Sequence, residues 1–169
     1  LNFFIILSLL SVSFATAQVS HDEIISNLQD YLRGSPNETE IEKHLNNINA
    51  DGSWPDLNYT KTSGRWDPRF HLDRLIDFSR VYTDSDSNYY NDTDVYEATV
   101  NGLQFYYDEN PYNTNWWSRQ VLAPRLIARV LLFMRAGNQQ VPAQLENDIL
   151  TRLESIRPAQ YNFTGANKI

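Results

Sequence analysis

The chain has 169 residues, 41% hydrophobic and 13% aromatic, with no Cys and a formal net charge of −7. That apolar share suits one packed domain, or one piece of a larger one, and excludes a disordered chain. The acidic balance argues against a nucleic-acid partner, and without Cys no disulfide framework braces the fold, so stability must come from packing.

Residues 1–17, "LNFFIILSLLSVSFATA", are an apolar run that ends in small residues. Ala15-Thr16-Ala17 has the A-x-A form of a signal-peptidase site, and the apolar part is short against the ~20 residues of a membrane-spanning helix. A cleaved signal peptide over 1–17 is therefore expected. The protein would be secreted or periplasmic, start near Gln18 and have no membrane partner after cleavage. N-x-S/T sequons stand at Asn37, Asn58, Asn91 and Asn162 and matter only in a glycosylating host.

Helix signals dominate the rest. Ser20-His21-Asp22-Glu23 reads as a capping box, followed at helical spacing by Ile24, Ile25, Leu28, Tyr31 and Leu32, and Gly34-Ser35-Pro36 stops that helix. Thr39-Glu40-Ile41-Glu42 predicts a second cap, ahead of Ile41, Leu45 and Ile48. Residues 51–66 form a loop broken by Gly52, Pro55 and Gly64. Asp67-Pro68 predicts an N-cap with Pro at the first helical position, and Leu72, Leu75, Ile76 and Val81-Tyr82 supply the apolar face.

After the polar connection "TDSDSNYYNDTD", Asp94 is expected to cap a helix carrying Val95, Ala98, Leu103 and Tyr106. Residues 108–117 read as a loop leading into a helix of Val121, Leu122, Leu126, Ile127, Val130, Leu131 and Met134. Pro124 falls in its first turns, where a missing N–H costs least. Ala136-Gly137-Asn138 ends that helix. Val141-Pro142 opens a last one, with Leu145, Ile149, Leu150, Leu153 and Ile156, closed by Arg157-Pro158. No strand alternation occurs. The expected fold is all-α, with about six helices joined as successive antiparallel hairpins. The long loops 51–66 and 108–117 are where binding residues tend to gather.

Charge is unevenly spread. Residues 1–110 hold 18 acidic and 7 basic side chains, whereas residues 111–169 hold 3 acidic and 7 basic ones. The basic set is Arg119, Arg125, Arg129, Arg135, Arg152, Arg157 and Lys168, a local positive field suited to an anionic ligand, although each arginine alone also fits a solvated helix face. There is no H-E-x-x-H, G-x-S-x-G or phosphate-binding glycine loop, so zinc-protease, serine-hydrolase and nucleotide chemistry lack support. His21 and His44 read as surface helix residues, and His71 as a structural hydrogen-bonding group. Trp54 and Trp66 read as core plugs. Carboxylates are plentiful, but no spacing picks out a glycosidase pair.

Two adjacent indoles, Trp116 and Trp117, stand between Asn115 and Arg119. Indole faces stack on sugar rings while the polar edge tolerates water, so the pair suits the wall of a carbohydrate cleft. A buried plug between helices fits the spacing equally well. "TGANK", 164–168, is a small-residue turn in which Asn167 offers an amide.

The order of these pieces is more specific than any one of them. D-G-S-W-P-D-L-N-Y precedes W-x-P-x-x-H-L-x-R-L, then come N-W-W and A-P, an apolar helix ending L-L-x-M, and T-G-A-N-K. Over residues 20–169 that order resembles the N-terminal half of the helical domain in polysaccharide lyase family 8, which includes chondroitin AC, hyaluronate and xanthan lyases. T-G-A-N-K is most similar to the chondroitin AC type.

The resemblance implies an incomplete (α/α) toroid followed by antiparallel β domains, of which residues 18–169 would be an N-terminal fragment. It implies an acidic, uronate-containing polysaccharide, chondroitin or hyaluronan, cleaved by β-elimination without cofactor or metal, by a monomer. A Tyr and a His move the protons, an Asn holds the uronate carboxylate, and an aromatic patch holds the chain. Residue by residue, Asn167 matches the carboxylate-binding catalytic Asn, and Trp116 and Trp117 match the substrate-binding patch, with Asn115 in the same motif. The family's catalytic His and Tyr would fall beyond residue 169, so none of the three His here takes that role. "SRQVLAP" follows N-W-W where the family more often shows an acidic residue and Thr-Pro. The rival readings are a glycoside hydrolase on an (α/α) barrel and a non-catalytic helical carbohydrate-binding protein.

Overall fold

The computed structural model describes residues 20–156. These residues form α1 (His21–Arg33), α2 (Glu38–Asn47), α3 (Pro68–Tyr82), α4 (Thr93–Glu109), α5 (Ala123–Met134) and α6 (Ala143–Ser155), with a π-helical turn, Ser118–Leu122, running into α5. No strand occurs among the described residues, as the periodicity predicts. The stretch 1–17, expected from the sequence to be a signal peptide, lies outside them.

The helix starts follow local capping chemistry, with shifts. Ser20 caps α1 by accepting from the Glu23 N–H, as expected. At α2 and α4 the caps are Asn37 and Asp92, two residues ahead of Thr39 and Asp94; they accept from the Thr39 and Val95 N–H groups. In each case an earlier Asx side chain reaches an amide that the first turn leaves without an intrahelical partner. Asp67 precedes Pro68 at the start of α3 but caps nothing. Its carboxylate turns to the preceding loop, accepting from the Asn58 N–H at 3.3 Å and pairing with Lys61 at 3.5 Å.

α3 is the central helix, with nine of its fifteen residues buried, and it packs most closely on α4 and α5. At its start His71 meets Gly102 in the second half of α4, and at its end Tyr82 lies 5.8 Å from Tyr96 in the first half. The two helices are therefore antiparallel. Arg135 after α5 pairs with Glu146 in the first turn of α6, which ties the two ends of that connection together. α1 closes over the end of the bundle, where the Gln29 amide donates to the Leu132 carbonyl and Arg80 donates to the Leu32 carbonyl.

The 51–66 loop is pinned into this bundle. Trp54 is buried, as its plug reading requires, and its Nε1 donates to the His44 carbonyl at 2.9 Å. His44 is consequently half-buried against the indole rather than a free surface residue; burial, then the Arg74 charge, hold its pKa below the usual value. Asp56 takes two hydrogen bonds from the Arg74 guanidinium, whose carbon lies 5.2 Å from the Trp54 ring. Gly52 has φ +88°, and a Cβ there would lie 2.3 Å from the Asn101 carbonyl oxygen. Only glycine fits so close to a helix backbone.

His71 is fully buried and joins three segments. Its Nε2 faces the Gly102 carbonyl at 2.9 Å, an acceptor, so Nε2 carries the proton. Nδ1 then accepts from the Tyr59 hydroxyl at 3.0 Å, and that hydroxyl accepts from the Trp54 N–H at 2.9 Å. Burial lowers the His71 pKa to about 4 and raises that of Tyr59 to about 12, so both are neutral at pH 7. The structural reading of His71 holds.

Two outcomes follow. Gly52→Ala should cost about 3 kcal/mol, from positive φ plus a backbone clash. Gly64→Ala, where φ is +64° and the Cβ meets nothing within 4 Å, should cost only about 1 kcal/mol; urea midpoints at pH 7 separate the two. The second concerns acid. The unfolded imidazole titrates near 6.5 and the folded one near 4, so the unfolded chain binds the extra proton in that window. The His71 contribution is complete above about pH 6.5 and fades as pH falls, by roughly 3 kcal/mol at pH 4. Unfolding midpoints from pH 7 to 4 should therefore fall less steeply in His71→Gln, whatever its absolute stability.

Candidate substrate-binding site

The 51–66 loop carries the next segment with it. The Thr62 carbonyl accepts from the Thr114 N–H at 2.8 Å and from its hydroxyl at 3.1 Å. α4 ends at Asn110, which adopts the left-handed conformation (φ 43°) that Asn tolerates, and the chain turns back. Asn113 is buried and accepts from the Asn115 N–H at 2.8 Å; Asn115 in turn accepts from the Trp117 N–H at 3.0 Å. Asn115 is thus an exposed N-cap, and its oxygen orients the tryptophan turn.

Trp116 and Trp117 do not lie in the loop as the sequence suggests. They form the first helical turn, continuous through the π turn into α5. Pro124 is therefore inside a helical run rather than near its start. It has no N–H for the carbonyl four residues back, and the helix widens just ahead of it: the Ala123 N–H bonds to the Ser118 carbonyl, five residues earlier. Both indoles are partly exposed, and Trp117 leans on the core cluster. Neither is a buried plug, which removes one of the two alternatives that spacing left open.

One turn along, a cavity of ≈ 400 Å³ opens between the end of α4, the π turn and α6. Trp66, Tyr107, Tyr112, Arg119 and Arg152 contribute to its walls, and no Asp or Glu does. The Arg119 guanidinium lies 4.6 Å from the Tyr112 ring centre, and that of Arg152 lies 3.6 Å from the Tyr107 ring centre. Trp66 is 5% exposed and packs in the core, as expected, yet its buried Nε1 has no protein partner; nor has the buried Nε of Arg119. Sequence reading missed the cavity, because Trp66 and Arg152 are brought together only by packing. Arg119 was visible, as the cation beside the indole pair.

Of the other arginines singled out in the sequence, Arg135 pairs with Glu146, and Arg125 and Arg129 act on Asp73 from the outer side of α5. Arg157, Lys168 and Asn167 lie outside the described residues. No group of three His, Asp or Glu able to hold a metal occurs among the described residues. Tyr59 and His71 form a tyrosine–imidazole contact, but burial and engagement of both ring nitrogens make it a structural one.

These elements have counterparts in known proteins. The family model described as polysaccharide lyase family 8, N terminal alpha-helical domain, matches residues 12–169. The chain is 31% identical to chondroitinase-AC of Pedobacter heparinus over 170 residues, which is 98% of this chain and 24% of that protein. It also superposes on a solved structure of chondroitinase AC lyase, from a study of enzyme–oligosaccharide complexes, with TM-score 0.77 and 29% identity over 86% of this chain and 22% of that one. The chain thus spans about a quarter of the relative's length. The match across residues 12–169, the 31% identity and the likeness of the helical folds agree: the chain belongs to polysaccharide lyase family 8, within the N-terminal α-helical domain.

Proposed function

We propose that this chain forms part of a secreted lyase that cleaves an acidic, uronate-containing polysaccharide, chondroitin or hyaluronan, by β-elimination. The observation that carries the reading is the pair of partly exposed indoles held on a capped helical turn in a family 8 domain. Trp116 and Trp117 stack on sugar rings, Asn115 fixes their turn and borders the glycan, and Asn167 binds the uronate carboxylate. Residues 1–17 direct export, and no described helix is long and apolar enough to cross a membrane.

The reaction removes the proton on C5 of the uronate, forms the C4=C5 double bond, and breaks the C4–O bond, whose oxygen takes a proton. Negative charge builds on the carboxylate as the C5 proton leaves. The Asn167 amide stabilises that state more than the ground state, because a neutral donor strengthens its bond as the acceptor becomes more negative. The base and the acid lie beyond residue 169. The described residues agree with that reading, since the His71 imidazole is buried with both ring nitrogens engaged.

Three outcomes test the reading. Residues 18–169 alone should release no unsaturated uronate from chondroitin or hyaluronan, while the longer protein should produce the absorbance of the C4=C5 bond. Saturated products from the longer protein would favour the glycoside hydrolase. In the longer protein, Asn167→Ala should lower kcat by about 10²–10³. Replacing Trp116 and Trp117 together by Ala should weaken polymer binding by about tenfold or more in affinity electrophoresis, with the fold retained.

A further inference from the structure

We propose that the cavity beside the tryptophan turn is a second binding site, one that takes a single anionic sugar unit. Trp66 Nε1 and Arg119 Nε are the donors to its carboxylate or sulfate ester. The inference rests on the reading that the ligand of this domain is an acidic glycan. It differs from that reading in placing a discrete pocket next to the open aromatic wall.

Three independent features carry it. The first is charge. The chain carries 21 Asp and Glu against 14 Lys and Arg, yet the cavity wall holds two arginines and no carboxylate. Among so many acids such a wall selects an anion. The second is the pair of buried N–H donors. Buried donors are almost always paired in a folded protein, and here an indole N–H and a guanidinium N–H are left without a protein acceptor. Both belong to residues that line the same space. A ligand oxygen supplies what they lack, and the guanidinium makes that bond charge-assisted.

The third feature is shape and surface. A volume of ≈ 400 Å³ lies within the range of about 300–1,000 Å³ of small-molecule sites and suits one sugar unit. The tyrosines 107 and 112 give it flat aromatic walls, already braced by Arg152 and Arg119 against their faces. A pyranose presents the matching apolar face. The π turn supports the same assignment. It brings Arg119 to the cavity in a helix that opens with Trp116 and Trp117, so the two sites share one rigid element.

The experiment is calorimetric titration of the intact protein with three disaccharides: a 4-sulfated chondroitin disaccharide, its unsulfated form, and neutral lactose. The anionic pair should bind and lactose should not. Binding of both anionic sugars identifies the carboxylate as the contact; binding of only the sulfated one identifies the sulfate ester. Arg119→Gln should weaken the binding about tenfold or more. Trp66→Phe keeps an aromatic ring and removes the N–H, and should weaken it severalfold with an unchanged circular dichroism spectrum. Replacing Trp116 and Trp117 by Ala should reduce polymer retention. Equal binding of lactose, no disaccharide binding at all, or wild-type binding in both Arg119→Gln and Trp66→Phe overturns the pocket. If polymer retention still depends on Trp116 and Trp117 in that event, the pocket alone has failed; if native protein retains no acidic polymer, the functional reading has failed with it.

Discussion

A single uncharged imidazole ties together the parts from which the site is built. His71 belongs to α3, donates to α4 at Gly102 and accepts from Tyr59 in the 51–66 loop. The same hydroxyl takes the Trp54 N–H, so the loop is drawn down until the Trp54 indole fills the space above α3. From there the order passes outward. Thr62 clasps Thr114, buried Asn113 holds Asn115, and Asn115 caps the turn that carries the indole pair. Each of these bonds is modest by itself, on the order of 1 kcal/mol net. Their effect is cumulative positioning: a surface aromatic pair takes its orientation from a ring with no solvent contact.

Much of the helical frame could be read from side-chain spacing. Ser20 capped where its motif said, and the apolar stripes of α3 and α5 became the buried faces. The errors share a physical origin. Where several Asn, Asp and Thr crowd a helix start, any of them offers an acceptor, and the winner is the one whose backbone is still extended, as at Asn37 and Asp92. Asp67 lost its capping role to loop groups nearby in space, Asn58 and Lys61. His44 looked like a surface residue because nothing in its own helix announces that Trp54 will lie against it.

The site was legible in part. The adjacent tryptophans stood out in the sequence as a pair, but spacing left a cleft wall and a buried plug equally open, and only the fold shows their partial exposure. What a sequence cannot display is convergence. Trp66, Arg119 and Arg152 come from three distant stretches, the 51–66 loop, the π turn and α6, and only tertiary packing lines one cavity with them. The role of the D-G-S-W-P-D-L-N-Y segment was equally hidden. It looks like a loop with a plug, and it also anchors the chain that leads to Thr62, whose carbonyl accepts from Thr114 just ahead of the indole turn.

The π turn ahead of Pro124 separates two jobs that one helix would otherwise have to reconcile. Downstream of it, Leu126, Val130, Leu131 and Phe133 must face the core at ordinary helical register. Upstream, the indoles need a bearing of their own toward solvent. A residue more or less in that widened stretch swings everything before it by about 100° while leaving α5 seated. The compass heading of the aromatic pair is therefore a matter of local chain length, set apart from the core contacts of α5.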